Sequence, residues 1–134
     1  MSLSAVPVVT AQSGNLAIAI TGMAITLSFA INHDNPTVLP ENITWLFTSR
    51  FIPDITITVG TNSQYSFSSD RRSLTIRNIT LRDDGEYQLV ALNDAGNNSD
   101  YIRLTVNGMH MELFYSAFNV NTILKLLNMS SHFS

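Results

Sequence analysis

The sequence has no cysteine. That absence excludes a disulfide framework, a thiolate zinc site and a thiol nucleophile. It leaves the compartment open, because an oxidising environment permits disulfides without requiring them. Charge is scarce as well: 13% of residues are Asp, Glu, Lys or Arg, where about a quarter is usual. The net charge is −3 and no basic run occurs, which argues against nucleic acid as a partner. Long apolar runs are also missing. Ser2-Leu3-Ser4-Ala5 follows Met1 without a basic leader region, so no secretory signal is read here, although one could precede a longer form. The stretch from Leu113 to Met129 is broken by Asn119, Asn121 and Lys125, which leaves nothing long enough to insert into a membrane.

Reactive constellations are lacking too. His33, His110 and His132 are scattered, one in a loop and two in the tail, with no carboxylate or serine at a suggestive spacing. No glycine-rich phosphate loop is present. An enzyme, a metal site and a bound cofactor are therefore not expected.

What is present is apolar material, 45% of 134 residues. That suffices for the core of one domain. From Val6 to Val106 it comes as short stretches with period-2 alternation, separated by turn-rich clusters, which is the pattern of an all-β sandwich or barrel. Strands are expected at Val6–Thr10, Leu16–Ile20, Ala24–Ile31, Ile43–Phe47, Ile55–Val59, Gln64–Phe67, Ser73–Ile76, Gly85–Asn93 and Asp100–Val106. Asn32-His33-Asp34-Asn35-Pro36 reads as a polar loop. Arg82-Asp83-Asp84-Gly85 reads as a tight turn with a glycine available for positive φ, and Asn93 to Asn97 as a hairpin. The expected division is an extension over 1–5, a domain over 6–106 and an atypical tail over 107–134, poorly structured or partly helical. The tail loses the alternation; it reads either as read-through past a domain boundary near Gly108 or as a weakly packed terminus.

Asp83-Asp84-Gly85-Glu86-Tyr87-Gln88-Leu89 resembles the Asp-x-Gly-x-Tyr-x-Cys motif of immunoglobulin superfamily domains, with Leu89 in place of cysteine. Ala91-Leu92-Asn93-Asp94-Ala95-Gly96 and Ser73 to Ile79 resemble the I-set pattern on either side of it. Gly22 to Phe29 resembles strand B, with Phe29 where the first cysteine stands. Trp45, the only tryptophan, occupies the place of the strand C core tryptophan. The resemblance implies a V-like or I-set immunoglobulin sandwich of two antiparallel sheets without its inter-sheet bridge. Phe29, Trp45, Leu74, Ile76, Asp83, Tyr87 and Leu89 would be its structural residues, with Tyr87 as the tyrosine corner. Arg71 or Arg72 is the expected partner of Asp83, and Asp84 is expected in solvent. Burying Phe29 and Leu89, at roughly 1.5–3 kcal/mol each, offsets a bridge worth about 4 kcal/mol.

Alternation points Leu46, Gln88, Val90, Leu92, Tyr101 and Arg103 outward on the sheet of strands C, F and G, with Thr44 and Thr105. That face is the candidate partner-binding surface, because exposed apolar area on a sheet often marks a protein interface. The expected partner is a protein, with homophilic contact included. Sequons place candidate glycans at Asn42, Asn78 and Asn97, with Asn128 in the tail. The resemblance implies a recognition or adhesion module of a cell-surface or secreted protein whose parent could carry a membrane anchor. The alternative is a structural I-set module of a large intracellular cytoskeletal or muscle protein.

Overall fold

The computed structural model describes residues 6–32 and 42–108. The loop from His33 to Pro36, the histidines His33, His110 and His132, Asn128 and the segments 1–5 and 109–134 lie outside the described residues.

Nine strands form: β1 Val8–Ala11, β2 Leu16–Ile20, β3 Ile25–Asn32, β4 Asn42–Ser49, β5 Thr56–Thr58, β6 Tyr65–Phe67, β7 Ser73–Ile76, β8 Gly85–Asn93 and β9 Gly96–Asn107. A 3-10 turn, Leu81–Asp83, precedes β8. β9 starts earlier than expected because the hairpin loop is only Asp94-Ala95. The Ala95 N–H donates to Asn93 Oδ1 at 2.9 Å, and Gly96 takes a φ of 145° that a residue with a Cβ resists.

The strands make two sheets, ordered β1-β3-β7-β6 and β2-β9-β8-β4-β5. Pairing is antiparallel except where β2 runs parallel to β9. The chain therefore crosses from one sheet to the other between β1 and β2, through Gln12–Asn15, where Gly14 has a φ of 86°. Two side chains of β9 reach back to the edge of β1. Asn98 Oδ1 accepts from the Val9 N–H at 3.1 Å and Asp100 Oδ2 from the Ala11 N–H at 2.8 Å. Backbone donors on that edge thus find partners without a further strand.

The alternation expected from sequence sets the core. Trp45 is fully buried, with its ring 5.2 Å from Phe29 and 5.9 Å from Phe67, centroid to centroid. Its Nε1–H donates to the Arg71 carbonyl at 2.7 Å. Leu89 is the register partner of Trp45, so both residues that stand in place of cysteine pack around the tryptophan. Phe29 is 1% exposed and Leu89 0%, as apolar substitutes for a bridge require. Leu74, Ile76, Tyr87 and Asp83 are buried with them.

Candidate functional site

The most polar cluster lies at the end of the sandwich where β7 gives way to β8. Thr80 caps the 3-10 turn: its Oγ1 accepts from the Arg82 N–H, while Asp83 Oδ2 accepts from the Thr80 N–H at 2.8 Å. Asp83 also accepts from Gln64 Nε2 at 2.8 Å and from the Tyr65 hydroxyl at 3.2 Å. The Tyr87 hydroxyl donates to the Asp83 carbonyl at 2.9 Å, which is the expected corner. Burial, and then the Asp83 charge, push the Tyr65 hydroxyl up to about 12. Burial also raises the Tyr87 hydroxyl well above its ordinary range, so both phenols stay neutral donors.

The two aspartates exchange their expected roles. Asp83 takes neither arginine: the Arg71 guanidinium lies 4.4 Å over the Phe67 ring, and the backbone N–H of Arg72 donates to Asp70. Asp84, expected in solvent, is 1% exposed. Its Oδ1 accepts from Arg103 at 2.7 Å and its Oδ2 from the Val106 N–H at 2.8 Å, with Arg50 3.8 Å away. The physical reason is register. Asp84 immediately precedes β8, and Gly85 pairs with Leu104, which sets the Asp84 carboxylate beside the last residues of β9. Burial alone would raise this carboxyl, but the Val106 N–H, Arg103 and Arg50 together outweigh it and hold it below the usual aspartate range. Gly85 is needed here for space and not for positive φ, since a Cβ would collide with the Thr48 carbonyl and stand 2.8 Å from the Phe47 ring.

This corner is bonded to itself. Beside it, an open cavity of about 530 Å³ is lined by Phe47, Ser49, Phe51, Ile52, Ile55, Ile57 and Arg82. Its lining is apolar apart from Ser49 and Arg82, so it offers no convergent set of catalytic groups. Among the described residues, no group of three or more His, Cys, Asp or Glu could hold a metal ion, and no helix is long and apolar enough to cross a membrane.

The outer face of the five-stranded sheet presents the other candidate surface. Register sets its residues in rows. Asn42, Leu92 and Asn97 form one row; Thr44, Val90 and Ser99 the next; then Thr58, Leu46, Gln88 and Tyr101; then Thr56, Thr48, Glu86, Arg103 and Leu16. Ile18 follows beside Thr105 on β2. Leu46, Gln88 and Val90 are half-buried, while Leu92 and Tyr101 are exposed. Two residues unforeseen from sequence extend the surface: Leu16 and Ile18 are 77% and 69% exposed. An apolar band thus runs obliquely from Leu92 through Val90, Leu46 and Tyr101 to Leu16 and Ile18. Gln88 Nε2 donates to Ser99 at 2.8 Å within this face. Arg103, expected to be available to a partner, is committed to Asp84.

The other sheet's outer face differs. Thr26 and Thr75 share a hydroxyl bond at 2.8 Å, as do Ser28 and Ser73, and Arg77 donates to Ser66. Of the sequon asparagines, Asn42 and Asn97 are exposed on the five-stranded sheet. Asn78 is exposed in the turn after β7, with a φ of 50°.

Comparison with known proteins agrees with this architecture. No curated protein sequence matches the chain. Among solved structures, titin M4 superposes with a TM-score of 0.58 at 20% identity, over 79% of this chain and all of that one. Titin M10, in a complex with the obscurin-like 1 Ig domain, gives 0.60 at 17% identity over 81% of this chain and all of that one. A Dscam structure concerned with isoform specificity gives 0.63 at 20% identity, over 78% of this chain and 25% of that one. The immunoglobulin I-set domain model matches residues 7–106, and the chain belongs to the I-set family of immunoglobulin domains.

Proposed function

We propose that this domain is a protein-recognition module and that its contact surface is the outer face of the five-stranded sheet. One observation carries the reading: of the two outer faces, one is tiled with hydroxyls bonded to each other, and the other bears the apolar band from Leu92 to Ile18. A strand face with this much exposed aliphatic surface gains from being covered by a protein, a second copy included. Catalysis forms no part of the reading.

Two settings suit such a module. The three sequons within the described residues favour a secreted or cell-surface adhesion protein, which could be membrane-anchored elsewhere in its chain. The absent cysteines and the structural likeness to titin domains favour a structural module of a large intracellular cytoskeletal or muscle protein, and the solved structures lean to this second setting. Glycan mass on the natively expressed protein separates the two.

The surface itself is tested by Val90→Arg and Tyr101→Ala. Both variants should keep the wild-type urea midpoint and weaken association, read by sedimentation velocity for self-contact and by binding assay for a partner. Unchanged association in both would count against this face.

A further inference from the structure

We infer that Asn42 and Asn97 form a paired N-glycan site whose sugars stand on either side of Leu92 and close the upper end of the recognition face. The inference rests on the secreted form of the functional reading. Its geometric basis is one register row: Asn42 pairs with Leu92, and Leu92 pairs with Asn97. Directly paired residues share a face and stand about 5 Å apart at their Cβ atoms. Both asparagines therefore flank the exposed Leu92 side chain at close range.

The two sites come from different parts of the chain. Asn42-Ile43-Thr44 opens β4, and Asn97-Asn98-Ser99 follows the hairpin into β9. Alternation carries the third sequon residue to the same face as the first. In the first sequon the Thr44 hydroxyl donates to Asn42 Oδ1 at 3.2 Å. Asn98, between the acceptor and Ser99, points the other way and serves the edge of β1. A sugar on Asn97 therefore leaves that structural contact intact.

The chemistry is ordinary group transfer from a polyprenyl-pyrophosphate-linked oligosaccharide. The asparagine amide nitrogen bonds to the anomeric carbon, and the carbon–oxygen bond to the pyrophosphate breaks. The lipid pyrophosphate leaves with the bonding electrons, and one amide proton passes to solvent. Asn78 lies at the opposite end of the sandwich, in the turn before Thr80, so a glycan there leaves the face bare. With Leu92 masked, the open part of the band is Tyr101, Leu16 and Ile18, and a partner of the glycosylated form must dock toward β2.

The test uses the full chain secreted from animal cells behind an added signal peptide. Site mapping by mass spectrometry should find glycan on both Asn42 and Asn97. Hydroxyl-radical footprinting should label Leu92 and Val90 several-fold less in the glycosylated wild type than in the N42Q/N97Q double variant. Leu16 and Ile18 should be labelled equally in both. N78Q should behave as wild type, and equal urea midpoints establish that all variants fold. Vacant Asn42 and Asn97 in the secreted protein, or equal labelling of Leu92, would overturn the inference. Footprinting needs no partner, so a failed association assay beside an intact footprint would sink the recognition reading and leave the glycan pair standing.

Discussion

The two outer faces of this sandwich are built by the same rule and end with opposite surfaces. On the four-stranded sheet the outward positions hold Thr26, Ser28, Ser66, Ser73 and Thr75, and their hydroxyls bond across strands. On the five-stranded sheet the corresponding positions hold Leu16, Ile18, Leu46, Val90, Leu92 and Tyr101. Both sheets share one core, so core packing does not dictate the difference. It lies in what each face does with solvent: the hydroxyl face satisfies itself, while the apolar face leaves surface that water covers unfavourably.

The comparison depends on the two sheets staying together, and Trp45 is where they meet. It belongs to β4 of the five-stranded sheet and packs on Phe29 and Phe67 of the other. Trp45→Ala opens a cavity between the sheets and strands the Arg71 carbonyl, which accepts the indole N–H. The expected cost is about 3–5 kcal/mol, a large part of a small domain's stability. Urea unfolding should show loss of most of the transition, and both faces should lose their definition together.

Asp84 sharpens the comparison from the end of the sandwich, because it ties Arg103, an outward residue of the apolar sheet, to the turn before β8. Asp84→Asn should cost about 1.5–3 kcal/mol at neutral pH, the range for hydrogen bonds to charged groups. The sign of its pH dependence follows from its lowered folded pKa. The ionised carboxylate contributes fully above the unfolded value, about 3.9. That contribution is lost as pH falls through the lower folded value. Wild type and Asp84→Asn should therefore converge in stability on acidification. A constant gap between their urea midpoints down to strongly acidic pH would show that the carboxylate charge is not the cause.

How much of this was readable beforehand differs along the same lines. The inner face was legible because a strict period of two, a single tryptophan and a Tyr87 corner fix which residues point inward. The outer positions of β4, β8 and β9 followed as their complement. β2 did not. Its Leu-Ala-Ile-Ala-Ile run is apolar at every position, so alternation leaves its facing undecided. Only the structure shows Ala19 turned in and Leu16 and Ile18 out. Its parallel seat beside β9 depends on a crossover between sheets that no local pattern encodes. Asp83 and Asp84 misled for a related reason: neighbouring acids in a turn must point apart, but their partners come from residues 60–65 and 103–106, brought close only by the fold.

The smallest expected effect is the most discriminating for the comparison. Thr26→Val removes one hydroxyl of the Thr26–Thr75 pair. Thr75 is left with water to bond, and valine suits a strand as well as threonine does. The stability change should stay within about 0.5 kcal/mol, and association should not change, because this face is not the contact. Leu16→Asp should be equally mild for folding, since Leu16 is 77% exposed. It places charge in the band, however, and should weaken association as Val90→Arg does. Sedimentation velocity on the two variants then reads the faces against each other. Equal association of Thr26→Val and Leu16→Asp would mean that the apolar band is ordinary surface, and that the contrast between the sheets is one of composition alone.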